Sequence, residues 1–449
     1  MRTALRTLIR RFTCNRRGNV AVIFALSCVP LITAVGCAID YSRATQTRAK
    51  LQAAADAASV GSISKASPAF AAAGTMTSDG SIPVGVTDAQ NIFDANRANL
   101  TGYTLNSVTP AVVKSGSTVT ATVTFSANIN TMFLGLIGKT ALTVTGTSTS
   151  TANMPLYIDF YLLLDNSPSM GVGATPADVS TMVSNTSDKC AFACHDYNNA
   201  NNYYNLAKTL GVTTRIDVLR SATQSLMDTA AATETYSNQF RMAIYDFGAS
   251  SKTIGLRALF SLSSSLSSAK TAAGNIDLMG VYGNNDAYTA DKDTQFGKVF
   301  PAITSLIPAP GSGTSSAPLK YLFFVSDGVA DESNAACSKT MYNSHWGNIS
   351  PRCQSPLDAT LCDTLKKNHV KIAVLYTTYL QLKDNQWYMD WIDPFNQPPF
   401  GPSPNSEIAK NMQACASPGL YFEVSPTQGI SDAMNALFKK AVADARIAG

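Results

Sequence analysis

The chain has 449 residues, more than one small core requires, so two or three domains are expected. Only 14% of residues are charged, while Ala, Ser, Thr and Asn are plentiful, which suits an exported protein with a near-neutral surface. The formal charge of +4 is local: setting aside the six arginines of the first 18 residues from the 34 basic ones leaves 28 against 30 acidic, so no basic patch argues for DNA or RNA.

Those arginines are Arg2, Arg6, Arg10, Arg11, Arg16 and Arg17, with no acid among them, and they make residues 1–18 a basic cytoplasmic tail. Residues 19–39 carry no charge: Val20-Ala-Val-Ile-Phe-Ala-Leu is followed by Val29-Pro-Leu-Ile. That length spans a bilayer, and Pro30 in mid-span is tolerated in a lipid-embedded helix. The arginines hold the N-terminus inside, so Asp40 and the residues beyond it lie outside. Three competitors fit less well. No Ala-x-Ala site succeeds the span for a cleaved signal peptide. A lipobox ending at Gly36-Cys37 has Ala34 where an aliphatic residue is usual. A prepilin-type cleavage after Gly18 lacks the usual Glu, since Ile23 stands there. The reading is a retained, single-pass anchor in a bacterial inner membrane.

Residues 40–65 predict an extended helix leaving the membrane, with Leu51, Ala54, Ala55 and Ala58 at helical spacing. Residues 66–86, rich in Ser, Gly and Pro, predict loop. A short helix comes next over 88–100, with Asp88 as its cap. Then Ser107-Val-Thr-Pro-Ala-Val-Val, residues 118–125 and residues 141–147 alternate with period two and predict antiparallel strands. Residues 66–154 thus form a small helix-plus-antiparallel-β domain, the α+β stalk. At the N-terminal end, Arg17-Gly-Asn-Val-Ala-Val-Ile-Phe-Ala-Leu, Pro30, Ala38-Ile-Asp-Tyr-Ser-Arg43 and Leu51-Gln-Ala-Ala-Ala-Asp-Ala-Ala58 resemble the TadE/TadG-like N-terminal segment. That family belongs to Flp/Tad pilus assembly, and the resemblance implies a membrane component of that system.

From residue 155 to 449, strands and helices alternate as an open α/β sheet requires. Strands are expected at 157–164, 240–247, 254–260, 320–327, 370–377 and 420–424. Helices are expected at 215–230, 294–306, 357–368, 406–414 and 427–445. The fold class is α/β: a doubly wound, mostly parallel sheet preceded by a transmembrane helix and the stalk domain. The first strand, Tyr157 to Leu164, is apolar and ends in Asp165-Asn-Ser167-Pro-Ser169. Another buried run, Lys320-Tyr-Leu-Phe-Phe-Val, ends in Ser326-Asp327-Gly328. Two parallel core strands ending in aspartate bring two carboxylates to one sheet edge, where open α/β sheets bind ligands. Asp165, Ser167 and Ser169 offer only oxygen, which suits a hard divalent cation. The bland alternative is an Asx or Ser turn closing a strand.

With both strands considered, the sequence resembles the von Willebrand factor A domain. That family builds a metal-ion-dependent adhesion site from Asp-x-Ser-x-Ser, a Thr in a central loop and a later Asp-Gly. The resemblance assigns Asp165, Ser167, Ser169 and Asp327 as metal ligands. In the Thr slot this chain has Gly283-Asn284-Asn285-Asp286, which nominates Asn285, with Asp286 as the other candidate. The expected cofactor is Mg²⁺ foremost, with Mn²⁺ and Ca²⁺ as alternatives. The expected partner is a protein that supplies a carboxylate to the ion.

Long connections near 171–213, 329–356 and 378–405 leave the carboxyl ends of strands, so the extra sequence should crowd the Asp165 edge. The third contains Trp387, Trp391, Phe395 and Phe400, which suits either a protein partner or a lid packed on its own domain. Six cysteines lie beyond the anchor, an even number that argues for disulfides in an oxidising periplasm. A Cys190–Cys194 clip is expected, with Cys337, Cys353, Cys362 and Cys415 pairing among themselves. Zinc at Cys190, Cys194 and His195 lacks a second tight pair of ligands. His195, His345 and His369 are scattered without a triad pattern, so no enzyme is expected. The expected function is a membrane-anchored, metal-dependent protein-binding component of Flp/Tad pilus assembly. A structural periplasmic scaffold, or a surface adhesin, is the alternative.

Overall fold

The computed structural model describes residues 19–76, 78–283, 287–289, 292–332, 342–343, 347–348, 353–425 and 429–448. The chain divides into two compact units between Met154 and Pro155.

The first unit is built on one helix, α1 (Asn19–Gly61), which runs without a break through Pro30. Its first half is apolar and almost wholly exposed, and it is long and apolar enough to cross a membrane. In its second half Leu51, Ala54, Ala55 and Ala58 are buried, one face of the 3.6-residue period. Helix α2 (Pro68–Thr75) comes next, then the short strand β1 (Gly80–Ser81) and helix α3 (Pro83–Arg97). The expected loop over 66–86 is therefore corrected at α2. Pro68 occupies the first helical turn, where its missing N–H costs nothing, and the Ser67 hydroxyl caps the helix by accepting from the Phe70 N–H at 3.2 Å.

Strands β2 (Tyr103–Ser115), β3 (Thr118–Asn130) and β4 (Ala141–Asn153) complete an antiparallel sheet in the order β1-β2-β3-β4. Val119, Ala121, Val123, Phe125, Ala127 and Ile129 alternate onto the buried face of β3. The second half of α1 packs against this sheet. Gly146 allows the closest approach, since a Cβ there would collide with Gln52 and Phe125.

The second unit carries a six-stranded sheet in the order β14-β13-β8-β5-β6-β7. In chain order the strands are β5 (Ile158–Leu164), β6 (Phe240–Asp246), β7 (Arg257–Ser263), β8 (Leu319–Ser326), β9 (Val329–Glu332), β10 (Tyr342–Asn343), β11 (Gly347–Asn348), β12 (Cys353–Pro356), β13 (Lys371–Thr377) and β14 (Tyr421–Val424). Strands β9 and β12 pair with each other outside the main sheet, as do β10 and β11. All neighbours in the main sheet are parallel except β7, which runs antiparallel to β6. Strand β7 begins later than the expected 254–260, because Ser251–Thr253 forms a 3-10 turn and the Gly255 N–H closes the connection on the Phe247 carbonyl.

The helices are α4 (Pro176–Asn185), α5 (Tyr203–Thr209), α6 (Arg215–Thr233), α7 (Leu266–Ala273), α8 (Phe296–Leu306), α9 (Asp363–Lys367), α10 (Gln386–Trp391), α11 (Glu407–Cys415) and α12 (Ile430–Ala448). They cover both faces of the sheet. Phe160, Leu162 and Leu164 of β5 face a core shared with α6 and α12. Tyr161 and Leu163, on the opposite side of the pleat, face a core shared with α8 and α11. A strand buried on both faces is nearly all apolar, which is why β5 shows no alternation; its one charged residue, Asp159, is buried and paired with Arg241 and Lys320.

A disulfide joins Cys362 to Cys415, tying α11 to the 3-10 turn Ala359–Cys362. The expected Cys190–Cys194 clip is not formed. The Cys194 side chain hydrogen-bonds Cys190 instead, and this contact lowers the Cys190 thiol from its ordinary value. Cys337 lies outside the described residues.

Candidate functional site at the carboxyl edge of the sheet

Strand β5 sits between β6 and β8, with Leu164 in register with Asp246 on one side and Val325 on the other. From β5 the chain proceeds outward through β6 and β7, then returns to the far side of β5 at β8. The gap between β5 and β8 is the point where strand order reverses, which opens a crevice at the carboxyl ends. Asp165 enters that crevice one residue beyond β5, and its N–H donates to the Val325 carbonyl at 2.9 Å.

Asp165, Asn166, Ser167, Ser326 and Asp327 are all fully buried. One Asp165 oxygen accepts from the Ser167 N–H at 2.9 Å, and the other from the Ser326 hydroxyl at 2.5 Å. The hydroxyls of Ser167 and Ser169 lie 3.1 Å apart. Asn166 braces the loop sideways: its amide donates to the Gly248 carbonyl at 2.8 Å and accepts from the Phe247 N–H at 3.1 Å. Four of the expected site residues, Asp165, Ser167, Ser169 and Asp327, therefore converge on one rim. Asn285, and its rival Asp286, lie outside the described residues.

The rim also holds a residue that the sequence pattern did not bring out. Arg215, the first residue of α6, is fully buried, with Nη1 3.4 Å from Oδ2 of Asp327. Its Nη2 donates to the Thr377 carbonyl at 3.0 Å and also to the Thr378 carbonyl. The guanidinium lies over the Tyr379 ring, 4.9 Å from its centroid, and the Tyr379 hydroxyl hydrogen-bonds Asp327 and Ser169. A cation in the first turn of a helix opposes the helix dipole. That anomaly, inside the Thr214–Asp217 capping box, was the available signal that Arg215 has a partner elsewhere.

Burial first, and then the Asp327 charge, push the Asp165 carboxyl up to about 7, against the lowering effect of the Ser167 and Ser326 hydrogen bonds. Burial and the same Asp327 charge raise the Tyr379 hydroxyl well above its ordinary value. This is an acidic pocket balanced by an internal guanidinium.

That balance corrects the cofactor expectation. Among the described residues no group of three or more His, Cys, Asp and Glu side chains is gathered to hold a metal ion. The positive charge that Mg²⁺, Mn²⁺ or Ca²⁺ was expected to supply is supplied by Arg215. Asp165 is committed to Ser167 and Ser326, and Asp327 to Arg215 and Tyr379. The expected partner falls with the ion, because the described residues hold no metal centre to receive a carboxylate from another protein.

Two of the long connections close over the rim. Phe192 from the first stacks edge-on against Trp387 from the third, with centroids 5.0 Å apart, and Trp387 in turn lies 6.2 Å from Tyr379. Tyr388, Trp391 and Ile392 are buried. Much of the aromatic run thus packs inward as a cover on its own unit.

Residues 18–62 match the family described as putative Flp pilus-assembly TadE/G-like. No curated protein matches the chain. Among solved structures it is similar to the pilus adhesin SpaC from Lactobacillus rhamnosus GG, at 13% identity and a TM-score of 0.33, over 77% of this chain and 34% of that one. It is similar to the vWF domain of the type V pili tip protein Mfa5 from Porphyromonas gingivalis, at 11% identity and a TM-score of 0.35, over 65% of this chain and 97% of that one. The PilB minor pilin from Streptococcus sanguinis is similar at 12% identity and a TM-score of 0.33, over 77% of this chain and 78% of that one.

Proposed function

We propose that the chain is a membrane-anchored structural component of Flp/Tad-type pilus assembly. Its N-terminus lies in the cytoplasm, residues 19–39 cross the inner membrane, and the von Willebrand A-like unit stands in the periplasm. The observation that carries this reading is the position of the family match. It covers a single helix whose apolar half is exposed and whose other half is the core helix of the first unit. No Ala-x-Ala site succeeds the span, which supports a retained anchor over a cleaved signal sequence. The arginines ahead of the span orient it, and the Cys362–Cys415 disulfide suits an oxidising compartment.

A scaffold fits the second unit better than a capture device. Asp165, Ser167, Asp327 and Arg215 are sealed from solvent, with Asp165 held by Ser167 and Ser326 and Asp327 paired with Arg215. Partner contacts would then be made by the outer surfaces of the long connections, with the rim holding their shape. In a pilus-forming host, deletion of the gene should abolish piliation, and the full chain should restore it. Replacing residues 1–39 with a cleavable signal peptide should release the protein into the soluble periplasm and fail to restore pili. Full restoration by the released form would refute the anchored reading.

A further inference from the structure

The connection between β3 and β4 carries an apolar tip, Met132-Phe-Leu-Gly-Leu-Ile137, that the first unit leaves largely uncovered. Met132 is 68% exposed, Leu136 78% and Ile137 62%, values more usual for lysines than for large apolar side chains. The tip is nonetheless fixed in place. Asp40, buried at the end of the uncharged stretch of α1, accepts from three successive backbone N–H groups: Met132 at 3.0 Å, Phe133 at 2.8 Å and Leu134 at 2.8 Å. Phe133 packs on Gly36 so closely that position 36 has no room for a Cβ.

Gly36 lies one helical turn inside the uncharged stretch. The 21 residues from Asn19 to Ile39 rise about 31 Å as a helix, close to the roughly 30 Å of a bilayer's hydrocarbon core. A hydrocarbon layer that begins just after Arg17 therefore extends to about Ile39. Phe133, level with Gly36, falls within its outer margin. The exposed Val35 and Ile39 of α1 lie at the same depth. Lys139, exposed on the same connection, is long enough to place its ammonium among headgroups while the apolar tip lies deeper.

From this we infer that the 132–137 tip is a second membrane contact, inserted into the outer leaflet of the bilayer that holds the anchor. The occupant is lipid because the tip is continuous with the lipid-facing surface of α1. The contact makes the first unit lie on the membrane surface, held by helix and tip together. Asp40 acts as the clasp that sets the tip's depth. The inference rests on the retained-anchor reading.

Its test uses the full chain reconstituted into phosphatidylethanolamine and phosphatidylglycerol vesicles containing bromolipids, which quench nearby tryptophan. Three variants are compared with the parent by difference emission: Leu136→Trp, Ile23→Trp and Ser115→Trp. Ser115, also exposed, ends the β2–β3 hairpin about 40 Å along the strands from the tip. Leu136→Trp should shift to the blue and lose emission to bromines placed near the headgroup. Ile23→Trp should lose emission to deep bromines, and Ser115→Trp to neither. An unquenched Leu136→Trp beside a quenched Ile23→Trp overturns the tip contact and leaves the anchor standing. An unquenched Ile23→Trp overturns the anchor and the tip contact together.

Discussion

Arg215 lays its guanidinium against Asp327, Nη1 to Oδ2 at 3.4 Å, with neither side chain open to solvent. The two residues are 112 positions apart in the chain. They bring the start of α6 to the end of β8, and the same guanidinium reaches the carbonyls at the end of β13 and just beyond it.

Removing one member of a buried ion pair strands the other. Arg215→Met should therefore destabilise the second unit by about 3–5 kcal/mol. Arg215→Lys should lie between, because a single ammonium cannot meet a carboxylate and two carbonyls with the same fork. Denaturant unfolding of a fragment beginning at Pro155 measures both. A stable Arg215→Met variant would show that the pair contributes nothing.

The raised Asp165 carboxyl sets a pH dependence. An unperturbed aspartate titrates near 3.8, and this one near 7 when folded. Between those values the folded state binds more protons than the unfolded one, so stability falls as pH rises from about 4 to about 7. Asp165→Asn keeps an acceptor for Ser326 and has no charge to bury, so it should flatten that fall. A melting temperature measured at intervals across this range, in wild type and variant, checks the sign.

Divalent cations should not change the second unit. Titration with Mg²⁺, Mn²⁺ or Ca²⁺ should give no saturable heat, and chelation should leave the melting temperature unchanged, because Arg215 already balances the rim. A stoichiometric heat that disappears in Asp327→Ala would restore the metal centre.

The Cys362–Cys415 bridge closes a loop of 53 residues. Its loss through Cys362→Ser with Cys415→Ser should cost roughly 2–5 kcal/mol. Denaturant unfolding of the double variant beside wild type, both without reducing agent, measures that loss.

The fold was legible where burial imposes a pattern. A strand apolar on both sides of its pleat needs helices over both faces, and the stretch from Tyr157 to Leu164, broken only by the ion-paired Asp159, met that condition. The oxygen-rich rim was legible too, since Asp165 and Asp327 each end such a run. Less legible were short helices held by local capping, such as α2, where Ser and Pro read as loop until Ser67 is seen to cap and Pro68 to start a turn. The metal expectation erred because a tally of oxygen ligands does not reveal which cation neutralises them.

Local periodicity along the chain was enough to specify the apolar span, the alternation of the small sheet and the placing of two aspartates at strand ends. What those aspartates face was settled by packing in three dimensions. Arg215 and Tyr379 reach Asp327 from distant connections, and Asp40 finds its three donors 92–94 residues away. Charge compensation across such distances depends on which strands become neighbours, and no local pattern encodes that.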